Sequence, residues 1–325
     1  MRAMLCHDYG PPESLQLTEV PDLMPGPNEV VVGVRAAAVN FPDVLLMSGG
    51  YQVKVPPPFA PGSEFAGVVI SVGNAVTTVA VGNRVAGSVM VGAFAEQVLA
   101  HENSLTAIPD SVDFADAAAF GVTYRTAYYT LRTVAPPQPD DWVVVLGAAG
   151  GVGLAAVDLA VAMGARVIAA ASDEAKLEVC RQRGAHASVN YDMENLRDRI
   201  REITGGAGAQ VVVDPVGGSY SEPALRALGR GGIFVTLGYA AGSIPKIPLN
   251  LVLLKGITVR GMEIRTFATD YPEAVDRDND ELNQMFADGT VRPYLGARFP
   301  LERAAEALRY VADRKAIGKV IIDIG

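Results

Sequence analysis

Residues 147–153 read GAAGGVG, four glycines and no charge, set between the apolar run Trp142–Leu146 and a helical pattern that starts at Leu154. Strand, glycine-rich turn and helix in that order let backbone N–H groups and the positive helix end approach a pyrophosphate with no side chain in the way. Gly150, Gly151, Val152 and Gly153 are the residues placed to hold it. The alternative is a tight turn with no ligand. A sheet of parallel strands around the turn favours a dinucleotide.

A second chemical signal comes one strand later. An NAD site usually ends that strand on Asp or Glu, which accepts from the ribose 2′-hydroxyl. Here the strand ends Ala169, Ala170, Ala171, followed by Ser172, and Lys176 lies one short turn on. A 2′-phosphate meets no repulsion there and finds a cation, so the spacing favours NADPH. Asp173 is the alternative acid, and a solvated helix lysine is the alternative for Lys176.

Those residues need a doubly wound α/β frame, and the chain reads as one. Apolar runs at 142–146, 166–171, 187–189, 210–214, 232–237 and 257–261 alternate with helical spacing at 154–163, 174–183, 194–203 and 222–228, the pattern of βαβ units and a six-stranded parallel sheet. The first hundred residues differ. Short strands at 14–19, 29–39, 65–72, 84–88 and 95–99, cut by Pro and Gly, belong to a barrel-like β domain. A helix at 301–312 and a strand at 319–324 return the chain to that domain. The expected division is 1–122, 123–263 for the dinucleotide-binding part, and 264–325 for the return.

Composition narrows the partners. Half of the 325 residues are hydrophobic, 19% are charged and the net charge is −9, so disorder and a general nucleic-acid surface are disfavoured. The N-terminus lacks an apolar secretory region and no run reaches the roughly 20 residues of a membrane span, which points to a cytoplasmic protein. Cys6 and Cys180 stand far apart, and His7, His101 and His186 have no partner at ligand spacing, so no metal site is expected.

Taken together, AAAVNFPDVL at 36–45, GGY at 49–51, PGSEFAGVV at 61–69, VGNRV at 81–85, VTYRTAYYTL at 122–131, the glycine loop, VNY at 189–191 and IGKVIID at 317–323 make the chain similar to the zinc-independent quinone oxidoreductases of the medium-chain dehydrogenase/reductase superfamily, the group that includes zeta-crystallin. The resemblance implies a GroES-like β-barrel catalytic domain beside a Rossmann domain. Zinc-dependent relatives carry a cysteine where Asn40 stands and a histidine where Ser63 stands. It further implies that Asn40, Tyr51 and Thr126 line the nicotinamide pocket as catalytic residues, with Thr123 a nearby second candidate. Asp43 and Glu64 match acidic positions of the same motifs. Lys176 and Tyr191, with Ser172, match positions that hold the 2′-phosphate. Val216, Gly238, Tyr239 and Ala240 match ribose and nicotinamide contacts. Met262, Glu263 and Lys319 match later cofactor contacts, and Arg265 opens a segment that shapes the acceptor pocket.

The activity implied is hydride transfer from NADPH to a quinone, an acceptor activated by its own conjugation. One alternative is an enoyl or acryloyl thioester or enone reductase, for which Arg265, Arg298 and Arg303 are candidate contacts to a coenzyme A tail. A non-catalytic NADPH-binding protein is the alternative from another class. In relatives the last strand of the parallel sheet pairs across a two-fold axis, which implies a homodimer through residues 257–261.

Overall fold

The computed structural model describes Met1–Gly325 and contains two compact units, residues 1–122 with 293–325, and residues 123–292. The first begins with an antiparallel hairpin of β1 (Arg2–Leu5) and β2 (Gln16–Glu19). β3 (Glu29–Val39) follows, then α1 (Phe41–Met47), β4 (Glu64–Val72), β5 (Arg84–Ser88), β6 (Gln97–His101), β7 (Leu105–Ala107) and α2 (Phe114–Tyr129). β3 pairs with both β4 and β6, and two register shifts along its β4 edge bend it, as bulges do, into a coiled sheet. Its inward residues Val30, Val32 and Val34 pack with Phe65, Phe94 and Val98.

The division between units falls inside α2. This helix was not anticipated from sequence: its first half buries Ala115, Ala117, Ala118 and Ala119, and small apolar residues on every side leave no 3.6-residue stripe to detect.

In the second unit β8 (Trp142–Leu146), α3 (Gly151–Ala162), β9 (Arg166–Ala171), α4 (Glu174–Gln182), β10 (Ala187–Asn190), α5 (Leu196–Ile203), β11 (Ala209–Asp214), α6 (Ser221–Ala227), β12 (Leu228–Thr236), α7 (Leu249–Lys255) and β13 (Thr258–Gly261) alternate. The six strands are parallel in the order β10-β9-β8-β11-β12-β13. Val143, Val144, Val145 and Leu146 are wholly buried, as expected of a central strand covered on both faces. The order reverses between β8 and β11, and at such a switch point the carboxyl ends of the strands open a ligand crevice.

The expected return at residue 264 is corrected: residues 264–292 stay with the second unit, and the first resumes at Pro293. The cause is a polar seam. α8 (Phe267–Asp270) and α9 (Val275–Ala287) meet the end of α2, where Phe267 stacks on Tyr129 at 3.8 Å. Tyr128 donates to Glu281 at 2.7 Å and Tyr129 to Asn279 at 2.6 Å, while Arg132 pairs with Glu281 at 2.8 Å.

β14 (Leu295–Pro300), α10 (Ala304–Ala312) and β15 (Lys319–Asp323) complete the first unit, where β15 runs antiparallel to β3 with Val320 opposite Val39. No helix is long and apolar enough to cross a membrane.

Candidate active site

In the second unit the glycine loop has the geometry its spacing predicts. Gly147 takes φ +56° at the end of β8. A Cβ on Gly153 would stand 2.2 Å from the Gly147 carbonyl oxygen and 2.8 Å from the Ala148 Cα, so only glycine lets α3 start this close to the strand. Gly150 caps α3, and Leu154 N–H closes the first turn onto the Gly150 carbonyl at 2.8 Å. The N–H groups of Gly151, Val152 and Gly153 therefore have no acceptor within the helix and face outward with the positive helix end.

At the ends of β9 and β10 the expected 2′-phosphate residues come together. Tyr191 N–H donates to the Ala171 carbonyl at 3.1 Å, which sets VNY beside Ser172. Lys176 Nζ lies 2.8 Å from Ser172 Oγ and 3.1 Å from Asp173 Oδ2. Asp173 caps α4 by accepting from Lys176 N–H at 3.0 Å. Partial burial opposes its ionisation, yet the Lys176 N–H, the ammonium and the Ser172 hydroxyl together hold this carboxyl below its ordinary value. Asp173 thus works as a helix cap. The Tyr191 ring packs against Tyr220 at 4.2 Å, and Tyr220 donates to Asp192 at 2.8 Å.

At the ends of β11 and β12 a residue that sequence reasoning passed over organises the loops. Asp214 is fully buried; its Oδ1 accepts from Val216 and Gly217 N–H, each at 2.8 Å, and its Oδ2 from Ser221 Oγ at 2.6 Å. Burial raises its pKa, against the lowering effect of those three donors. An acid closing an apolar strand just before a glycine pair was the available signal. Ala241 N–H bonds the Val216 carbonyl at 2.8 Å and Ala240 N–H the Pro215 carbonyl at 3.3 Å, so Gly238, Tyr239 and Ala240 lie beside Val216, whose side chain packs against Gly147 of the glycine loop. Met262 is buried, with its N–H on the Thr236 carbonyl at 3.2 Å. Glu263 pairs with Arg265 at 2.5 Å. Thr126 is nearly buried on α2 and its carbonyl accepts from Thr130 at 2.7 Å.

The first unit holds a buried polar cluster. The β3–β15 register brings Lys319 to Asn40, 279 positions away in sequence, with Nζ to Oδ1 at 2.6 Å, and Nζ also meets Glu64 Oε2 at 3.0 Å. Asn40 Nδ2 donates to Glu64 Oε2 at 3.1 Å, and Glu64 Oε1 accepts from Val122 N–H at 2.6 Å. Asp43 Oδ2 accepts from Asn40 N–H at 2.7 Å, the reciprocal bond of a capping box. Burial pushes the Asp43 carboxyl up to about 7, opposed by its bonds to Asn40 and Ser63 and by the Lys319 charge. Lys319, expected beside a cofactor, is 3% exposed and committed to this cluster, as is the Asn40 amide. Tyr51 is half-buried just past α1, its N–H on the Leu45 carbonyl at 3.2 Å.

Known proteins share both units. Residues 26–110 match the alcohol dehydrogenase GroES-like domain and residues 151–279 the zinc-binding dehydrogenase family. The chain is 39% identical to the mouse (Mus musculus) quinone oxidoreductase-like protein 2, across 99% of this chain and 92% of that one. It is 35% identical to a Pseudomonas aeruginosa quinone oxidoreductase, across 97% of each. The structure of Escherichia coli quinone oxidoreductase complexed with NADPH superposes with a TM-score of 0.92 at 30% identity, covering 99% of this chain and 100% of that one. The chain belongs to the quinone oxidoreductase family of medium-chain dehydrogenases/reductases.

In this quinone oxidoreductase family member the residues at the zinc-ligand positions do not fit zinc. Asn40 and Ser63 offer neither thiolate nor imidazole, and the carboxylate beside them, Glu64, already faces the Lys319 ammonium at 3.0 Å. A dication there would meet a buried positive charge. Both cysteines are buried, and burial pushes the Cys180 thiol up to about 12, which leaves it an inert packing group.

Proposed function

We propose that this protein is an NADPH-dependent, zinc-independent reductase that transfers a hydride to a quinone. The observation that carries the reading is the cluster of Ser172, Lys176 and Tyr191 at the end of β9, a strand that closes on three alanines with its nearest acid committed as a helix cap. A ribose 2′-hydroxyl has no carboxylate to bind there, whereas a 2′-phosphate has a cation and two hydroxyls. The NADPH complex of the Escherichia coli relative supports the same choice.

On this reading the N–H groups of Gly151, Val152 and Gly153 hold the pyrophosphate, and Val216, Gly238, Tyr239 and Ala240 flank the ribose and nicotinamide. Bound NADPH supplies the hydride. A quinone is activated by its own conjugation and needs no Lewis acid, in keeping with the Lys319–Glu64 cluster. Two electrons and one proton arrive as hydride, and the second proton comes from solvent or the Tyr51 hydroxyl. Asn40 acts as a positioning residue, since its amide is held by Lys319 and Glu64.

The thioester reading finds less support: Arg298 pairs with Asp323, Arg303 with Glu306 and Arg265 with Glu263. The edge strand β13 is exposed throughout, and Leu249, Leu253 and Leu254 near it are 78%, 81% and 66% exposed, which supports a homodimer through that edge. Buried, unlinked cysteines accord with a cytoplasmic setting.

The test is loss of nicotinamide absorbance with NADPH or NADH against a benzoquinone, a naphthoquinone, an enone and a short enoyl thioester. Faster oxidation of NADPH by the quinones is expected. Turnover with the thioester alone would replace the reading, and cofactor binding without any turnover would leave a binding protein.

A further inference from the structure

The second unit carries a cavity of about 570 Å³ between α5, α6 and the loop before α7, lined by Arg197, Arg226 and Lys246 with Asn195, Ser219 and Glu222. None of the glycine loop, Ser172 or Lys176 lines it. Its charge runs against the acidic balance of the chain. Elsewhere several arginines are neutralised at short range: Arg132, Arg181, Arg303 and Arg309 each have a carboxylate within 2.8 Å.

Here only Arg226 is matched so closely, by Glu222 at 2.7 Å. Arg197 has Asp198 at no nearer than 4.0 Å, and exposed Lys246 has no ion-pair partner. Arg201, one turn along α5, bonds a carbonyl, that of Gly206 at 2.6 Å. The excess of positive charge reaches inward. Lys255 Nζ sits on the carbonyls of Arg226 and Leu228, and burial first, then Arg201, Arg197 and Arg226, make its ammonium easier to deprotonate than usual.

We propose that this cavity binds a phosphate-bearing small molecule at a site separate from the dinucleotide cradle. Arg197 and Lys246 supply the uncompensated charge, Arg226 is held in place by Glu222, and the Ser219 hydroxyl and the Asn195 amide supply neutral donors. Guanidinium groups suit phosphate because their planar N–H pairs match two of its oxygens. The anion comes from a free polyphosphate or from the phosphate end of a nucleotide.

Calorimetric titration distinguishes these sources and tests the site. With NADPH at saturating concentration filling the dinucleotide cradle, inorganic pyrophosphate and adenosine 3′,5′-bisphosphate are each titrated into the wild type, Arg197→Ala/Lys246→Ala and Lys176→Ala. Both cavity side chains are exposed, so the double variant is expected to melt at the wild-type temperature. Its affinity for the anion is expected to fall about tenfold or more, with Lys176→Ala unchanged. Tighter binding of the nucleotide than of pyrophosphate assigns a nucleotide end, and equal binding assigns a free polyphosphate. No saturable binding to the wild type, equal binding to the double variant, or loss in Lys176→Ala alone overturns the proposal. The readout is binding, so it stands or falls apart from reductase activity.

Discussion

On the proposed reading, Lys176 is the side chain that selects the cofactor. Its ammonium is one-sixth exposed and held between Ser172 and Asp173, so it is aimed before any phosphate arrives. Lys176→Ala is expected to weaken NADPH binding by about tenfold to a hundredfold and to leave NADH binding unchanged, as read by cofactor fluorescence titration. Equal loss for both would contradict the assignment. Asp43 makes a different prediction at the same scale. Its folded pKa, raised from 3.8 to about 7, means that the native state holds a proton the unfolded chain releases. Between about pH 4 and 7 stability therefore falls as pH rises, and above 7 this group contributes no further change. The charged groups facing it are Glu64 and Lys319, and Lys319 opposes the rise. Denaturant titrations across that window should show a slope that Asp43→Asn reduces.

At the scale of elements, the six parallel strands were legible because buried strands read as apolar runs bounded by turns, and the glycine loop because strand, glycines and helix follow in fixed order. Gly153→Ala tests that geometry: with the Gly147 carbonyl 2.2 Å from the added Cβ, α3 must shift, at about 1–3 kcal/mol of stability and with weakened binding of both dinucleotides. Unchanged melting and binding would show that the turn does not need glycine. What escaped the sequence had physical reasons. α2 has no polar face in its first half; β1, β7 and β14 are short or half-exposed, with burial alternating residue by residue along β14. The Lys319–Glu64 pair joins positions 255 apart, and only the antiparallel closure of β15 on β3 reveals it. Once that register is known, the pair accounts for a lysine and a glutamate that sequence reading had set in separate roles.

At the scale of the whole molecule, an acidic chain carries two units: one holds the glycine loop proposed to bind the dinucleotide, the other a buried Asn40–Glu64–Lys319 cluster. The bare edge of β13 and its neighbouring leucines predict a dimer, which sedimentation velocity should report as twice the chain mass; Val259→Lys, on that edge and 43% exposed, should shift the population toward monomer, and a wild type that sediments as a monomer at all concentrations would contradict it. The central proposal is NADPH-driven quinone reduction without a metal, supported by the Lys319 ammonium 3.0 Å from Glu64. The direct measurement is the rate of NADPH oxidation by a benzoquinone before and after exhaustive chelation, with zinc then added back. An unchanged rate throughout is predicted, and activity that disappears on chelation and returns with zinc would contradict the account.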